Sequence, residues 1–211
     1  MAINIKLQAS LLDDDIASLI KRKCWSEVEK SLERENGLAM PGFSEPCSKC
    51  SKCHGPLLLA SKRDPPLKIV SSLLQANPIA SCETDCRKKL PLHLACEYGA
   101  SPEVIRKLIQ VNKESVRKRD GNGMLPIHHV CRFYYNTLKK RIPKNLAIRS
   151  TMEVIRMILI VDLDNVLEDC EGMDLVEIAL DSGMDMTAIQ TLQMARSLAS
   201  EKSERLRKRC R

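Results

Sequence analysis

The sequence predicts an all-α fold, a stacked solenoid of helix-turn-helix units. Three observations carry that prediction. Pro56, Pro91 and Pro126 stand on one period of 35 residues. Each opens an apolar run of helical spacing, because the fixed φ and missing N–H of proline suit the first turn of a helix. A second helical pattern follows on the same period, Ile69-Val70 with Leu73-Leu74, then Val104-Ile105 with Leu108-Ile109. A fixed period of this size with two helices per unit marks layers that stack on their neighbours rather than a closed globule.

In chain order, residues 1–13 carry no clear period and read as a lead-in. Residues 14–46 read as a degenerate capping unit and loop. Ile16, Leu19 and Ile20, then Trp25, Val28 and Leu32, form two short apolar faces joined by Lys21-Arg22-Lys23-Cys24. Trp25 is expected as a core plug beneath the next layer, and Asn36-Gly37 and Pro41-Gly42 break the chain into a loop. Four units fill 47–195, at 47–81, 82–116, 117–165 and 166–195. The second helix of the third unit, Met152 to Val161, lies 50 residues beyond its counterpart, so a basic insert at 136–150 separates the two helices of that unit. Residues 196–211 are a basic tail that continues the last helix, with Glu201/Arg205 and Glu204/Lys208 at i,i+4 spacing.

Leu90-Pro91-Leu92-His93-Leu94-Ala95 and Leu125-Pro126-Ile127-His128 resemble the ankyrin repeat, whose helix-opening signature is Thr-Pro-Leu-His-x-Ala in units of about 33 residues. The resemblance covers most of the chain and implies a hairpin finger ahead of each first helix. The turn aspartate of that finger falls at Asp85 and Asp120, and its glycine at Gly123. With Leu175 in the proline slot of a fourth unit, Asp169 and Gly172 take the same places. The resemblance also implies that His93 and His128 make structural side-chain-to-backbone bonds between units. His129 has no periodic role. The capping threonine is replaced by Gly55, Leu90 and Leu125, and the histidine by Leu58 and Glu177. Those helix starts are expected to be less well capped, by roughly 1 kcal/mol each.

The net charge of +7 is unevenly placed: 136–150 and 196–211 supply +5 each, which leaves −3 for the rest. The basic balance thus belongs to two appendages. No apolar run approaches the roughly 18 residues of a membrane span, and Lys6, Gln8 and Asp13-Asp14-Asp15 interrupt any secretory h-region. Cys96 and Cys131 sit on the repeat as core thiols, which favours a reducing compartment, cytoplasm or nucleus.

The other cysteines form the one unusual cluster. Cys50-Ser51-Lys52-Cys53-His54 formally matches a haem-attachment pattern, but in the repeat register it is the turn of the first finger, and neither an export signal nor a haem pocket accompanies it. Cys47 and Cys82 are one period apart, and Cys50 and Cys86 fall within one residue of that relation. Two readings stay open: four thiolates on adjacent fingers around a tetrahedral zinc, or unligated thiols.

No Ser/His/Asp set, phosphate-cradling glycine loop or carboxylate pair emerges, so the expectation is a non-enzymatic, monomeric scaffold for protein–protein interaction. In ankyrin proteins partners dock on fingertips and on the concave face of the first helices. Here those positions include Lys52, Arg87, Lys89, Arg119 and Asn122 on the fingers, and Lys62, Arg63, Glu97, Tyr98, Arg132 and Phe133 on the helices. This face is basic with an aromatic element (Tyr98, Phe133, Tyr134), turns acidic at Glu168, Asp169 and Glu171, and calls for an acidic partner. The alternatives are a zinc-binding or redox-responsive cysteine module, and nucleic-acid association through insert and tail.

Overall fold

The computed structural model of the protein describes residues 16–34, 55–139, 144–170 and 172–209, with the side chains of all of these except 138–149 and 209. The expected lead-in, the loop after the capping unit, Cys47, Cys50, Cys53, Lys52 and Glu171 lie outside the described residues.

The described residues are helical, with a single isolated bridge between Cys170 and Met173 and no strand. In order they form α1 (Ile16–Lys21), α2 (Trp25–Arg34), α3 (Pro56–Ser61), α4 (Leu67–Ala76), α5 (Pro91–Tyr98), α6 (Pro102–Val111), α7 (Pro126–Lys139), α8 (Lys144–Val161), α9 (Leu175–Asp181) and α10 (Met186–Arg209). Helices therefore begin at Pro56, Pro91, Pro126 and Leu175, as the periodic prolines require. The two members of each pair pack on each other, and the pairs stack in two rows: α1, α3, α5, α7 and α9 along one, α2, α4, α6 and α8 along the other. The expected capping pair is thus the first layer of the same stack.

The core follows the period. Leu94, Ala95, Cys96, Ile105, Leu108, Val130, Ile155 and Ile158 are all buried. Trp25 and Leu32 pack partly buried against the core, while Val28 is fully enclosed. Stacking supplies the burial that a two-helix unit lacks alone. At about 25 cal/mol per Å² of apolar surface, each added layer extends one continuous core.

Short 3-10 turns close three of the second helices, at Pro78–Cys82, Lys113–Arg117 and Leu163–Leu167. Each is preceded by an extended Asn or Asp: Asn77, Asn112 and Asp162. Asn112 also ties its layer to the one before, donating from Nδ2 to the Ser81 carbonyl at 3.1 Å.

Three expectations change. The insert at 136–150 is not an open loop: α7 runs to Lys139 and α8 starts at Lys144, so both helices of that pair are lengthened. Leu, Ala and Lys in this stretch favour helix. The start of α9 is well capped rather than weak. Asp174 accepts from the Glu177 N–H at 2.9 Å, and Glu177 accepts from the Asp174 N–H at 2.8 Å, a reciprocal capping box. Finally, Asp169 does not repeat the role of its counterparts. The fourth turn is one residue shorter, closing from the Cys170 N–H to the Met173 carbonyl, and the Asp169 side chain is 75 % exposed.

Candidate functional site

Ahead of α5 and α7 the chain makes two similar hairpin turns. Asp85 accepts at Oδ1 from the N–H groups of Arg87 (2.9 Å) and Lys89 (3.0 Å). Asp120 does the same for Asn122 (2.8 Å) and Met124 (2.9 Å). Aspartate suits this place because its short carboxylate reaches backbone donors two and four residues on. The two turns are then tied side by side, because the Gly121 N–H donates to the Arg87 carbonyl at 2.7 Å. A Cβ on Gly121 would stand 2.6 Å from that oxygen, so glycine is required for the close approach.

Behind the turns lies a buried polar network. His93 accepts the Leu90 N–H at Nδ1 (3.2 Å) and holds the Lys118 carbonyl at Nε2 (2.9 Å), which joins the α5 layer to the next. His128 repeats the inner bond, accepting from the Leu125 N–H at 3.0 Å; its buried Nε2 interacts with the Glu168 backbone but makes no hydrogen bond of normal geometry among the described residues. Burial pushes His93 and His128 each down to about 4, so both imidazoles are neutral at physiological pH.

His129, which the period left without a role, is central. Its Nε2 donates to Asp120 Oδ2 at 2.9 Å, and its ring meets His93 edge-on with centroids 5.8 Å apart. Burial pulls its pKa down, against the opposing pull of Asp120. The Asp120 carboxyl is lowered: burial raises it, but the Met124 N–H, His129 and the Asn122 N–H outweigh that. The pair is a neutral imidazole donating to a carboxylate that also accepts two backbone bonds.

Between the two turns and the ends of α5 and α7 is an open cleft of about 270 Å³, lined by Arg87, Lys89, Glu97, Asn122, His129, Arg132, Phe133 and Asn136. Lys89 forms its inner wall. It is only 3 % exposed, and its Nζ donates to Glu97 Oε2 at 2.7 Å. An expected fingertip cation is therefore a buried one. Arg87 and Arg132 are exposed, and neither has a carboxylate partner among the described residues. The Arg132 guanidinium rests on the Met124 sulfur at 3.2 Å. Phe133 leans over Gly99, where a Cβ would stand 1.9 Å from the ring; Gly99 also has φ +69°. Both facts exclude larger residues there.

The cleft thus gathers Arg87, Lys89, Glu97, Arg132 and Phe133 from the expected binding face. Lys62 stands one layer back, paired with Asp85 at 3.7 Å, and Arg63 and Tyr98 are exposed but do not line it. Arg119 is occupied elsewhere. It donates to the Gly123 and Asp169 carbonyls and pairs with Glu168, clamping the third turn to the fourth. Tyr134 is buried in the core rather than offered on the surface, since it sits on the inner side of α7. The residues that sequence reasoning missed at the cleft are His129 and Asn136. The doubled His128-His129 was the available signal for the first; nothing in the period marks the second.

Cys82 and Cys86 are exposed free thiols, and Cys82 Sγ lies 3.4 Å from Asn112 Nδ2. Among the described residues no group of three or more His, Cys, Asp or Glu side chains converges on a metal-sized site. Cys47 and Cys50, the other half of the expected zinc set, are not among those residues. Cys96 and Cys131 are buried free thiols; burial raises both, Cys131 to about 12, so neither is a reactive thiolate.

No helix among the described residues is long and apolar enough to cross a membrane. No family model matches the sequence, and no curated protein matches it either.

Proposed function

We propose that this chain is an ankyrin-repeat scaffold, without enzymatic activity, that binds an acidic protein partner across its finger turns and the adjacent ends of the first helices. The reading rests on one observation above the rest. Arg87 and Arg132, lacking carboxylate partners among the described residues, flank a cleft backed by Lys89 and edged by Phe133. Cations that find no internal partner attract external carboxylates, and a half-buried ring beside them supplies apolar contact. The 35-residue spacing of the prolines, the two rows of stacked helices and the His93 bond to the next layer support the ankyrin assignment.

The test is binding of a Glu/Asp-rich peptide at low and physiological salt. Arg87→Glu with Arg132→Glu should weaken it by at least about tenfold, roughly 1.4 kcal/mol, and raising the salt should weaken the wild type similarly. A double variant that binds as well as wild type would remove the cleft from the interface.

The nucleic-acid alternative would draw on bases of the tail, three of which have carboxylate partners at the surface: Arg196 pairs with Asp174 at 2.5 Å, Lys202 with Asp164 at 3.0 Å and Arg205 with Glu201 at 3.5 Å.

A further inference from the structure

We infer that the cleft between the second and third turns is a receptor for a single phosphorylated serine or threonine side chain in the partner. The inference rests on the scaffold reading and sharpens it from acidic segment to phosphate monoester.

Charge comes first. Arg87, Lys89 and Arg132 face Glu97 across the cleft, a net of two positive charges. A carboxylate would neutralise one of them, whereas a phosphate monoester carries roughly −1.5 to −2 at pH 7. Asp120 does not join this count, because it lies behind His129 and is satisfied by that ring and two backbone N–H groups.

Donor capacity comes second. Lys89 Nζ has three N–H donors, and Glu97 takes one of them. Among the described residues the other two have no partner, on an ammonium whose side chain is 4 % exposed and which lines the cleft. A buried charge is costly unless its remaining donors are met, and a tetrahedral oxyanion meets them at one centre. Arg87 and Arg132 line the same cleft, and each can add a guanidinium fork to a phosphate with three free oxygens. Asn122 and Asn136 supply neutral amides at the rim.

Preorganisation comes third. The Arg87 backbone is held on both sides, its N–H by Asp85 and its carbonyl by Gly121. Phe133 is fixed against Gly99. Lys89, buried and bonded to Glu97, is a cation already in place and spends less binding energy on ordering. The cleft volume of about 270 Å³ accommodates one such side chain.

The experiment is calorimetric titration of the full chain with a short neutral peptide bearing one phosphoserine. Its serine and glutamate twins are titrated in parallel, and inorganic phosphate is used as competitor. The phosphopeptide should bind with 1:1 stoichiometry, at least about tenfold tighter than either twin, as expected if more than one charge-assisted bond is added. Millimolar phosphate should compete. Arg87→Gln with Arg132→Gln should reduce phosphopeptide binding by at least about tenfold, and Arg63→Gln, outside the cleft, by less than about twofold. Lys89→Met with Glu97→Gln removes the buried pair together and, once circular dichroism shows the fold retained, should give a loss of similar size. Equal binding of the three peptides, or phosphopeptide binding unmoved by Arg87→Gln with Arg132→Gln, overturns the inference. If a Glu/Asp-rich peptide still binds in that case and depends on Arg63, the scaffold reading stands without it.

Discussion

At the scale of single residues, the histidines set the protein's response to acid. His93 and His128 are depressed to about 4 from an ordinary 6.5, because burial disfavours the charged ring. The unfolded chain therefore binds more protons than the folded one between those values. Stability is fully present above pH 6.5 and is lost as pH falls towards 4, by about 1.4 kcal/mol per pH unit for each histidine. Urea midpoints across pH 4–7 should show that fall. His93→Gln should reduce the slope to the share left by His128, while costing stability at pH 7 through the loss of the Lys118 bond. A flat profile would mean the rings are not buried neutral. Gly99 is the other sharp case. Gly99→Ala meets both a left-handed φ and the Phe133 ring, and should destabilise by about 1–3 kcal/mol while displacing Phe133 from the cleft. Near-ultraviolet signals and thermal melts check both effects.

At the scale of elements, stability comes from stacking and from caps. Leu108 is enclosed between layers on α6, so Leu108→Ala should cost about 2–5 kcal/mol; a change within about 0.5 kcal/mol would mean that layer is not packed as described. The α9 start offers a sharper contrast. Asp174 caps the helix and also accepts an ion pair from Arg196, so Asp174→Ala should cost about 1–2 kcal/mol in chemical denaturation. The sequence Asp174-x-x-Glu177 carried that cap in plain view. Comparing Leu175 with the proline slots, and Glu177 with the histidine slot, drew attention to what the unit lacked relative to its neighbours, not to the capping chemistry it holds.

At the scale of the whole molecule, the C-terminal helix is part of the stack. α10 packs against the 3-10 turn Leu163–Leu167 and against α9, and Ala199 is fully buried within the segment that reads as a tail. Removing residues 196–211 should therefore lower stability by about 1–3 kcal/mol, because it deletes Ala199 together with the Arg196–Asp174 and Lys202–Asp164 pairs. Removing only 207–211 should leave the melting temperature nearly unchanged. Equal melts for the two truncations would show that the helix contributes nothing beyond its own turns.

What the sequence determined by itself was whatever repeats: helix starts at the periodic prolines and the buried positions on α5 to α8; the His93 bond between layers was implied by the resemblance alone. Periodicity is legible because each layer solves the same packing problem with the same residues. What only the tertiary structure decided lies where layers meet out of register or where one side chain has two uses. Lys89 is buried because Glu97 reaches it across the turn, Arg119 is drawn to Glu168 and the Asp169 carbonyl, and His129 finds Asp120 because α7 follows its turn closely. Those pairings depend on distances across the fold between groups whose types alone fit several partners. The cleft was therefore legible as a basic face but not as a place.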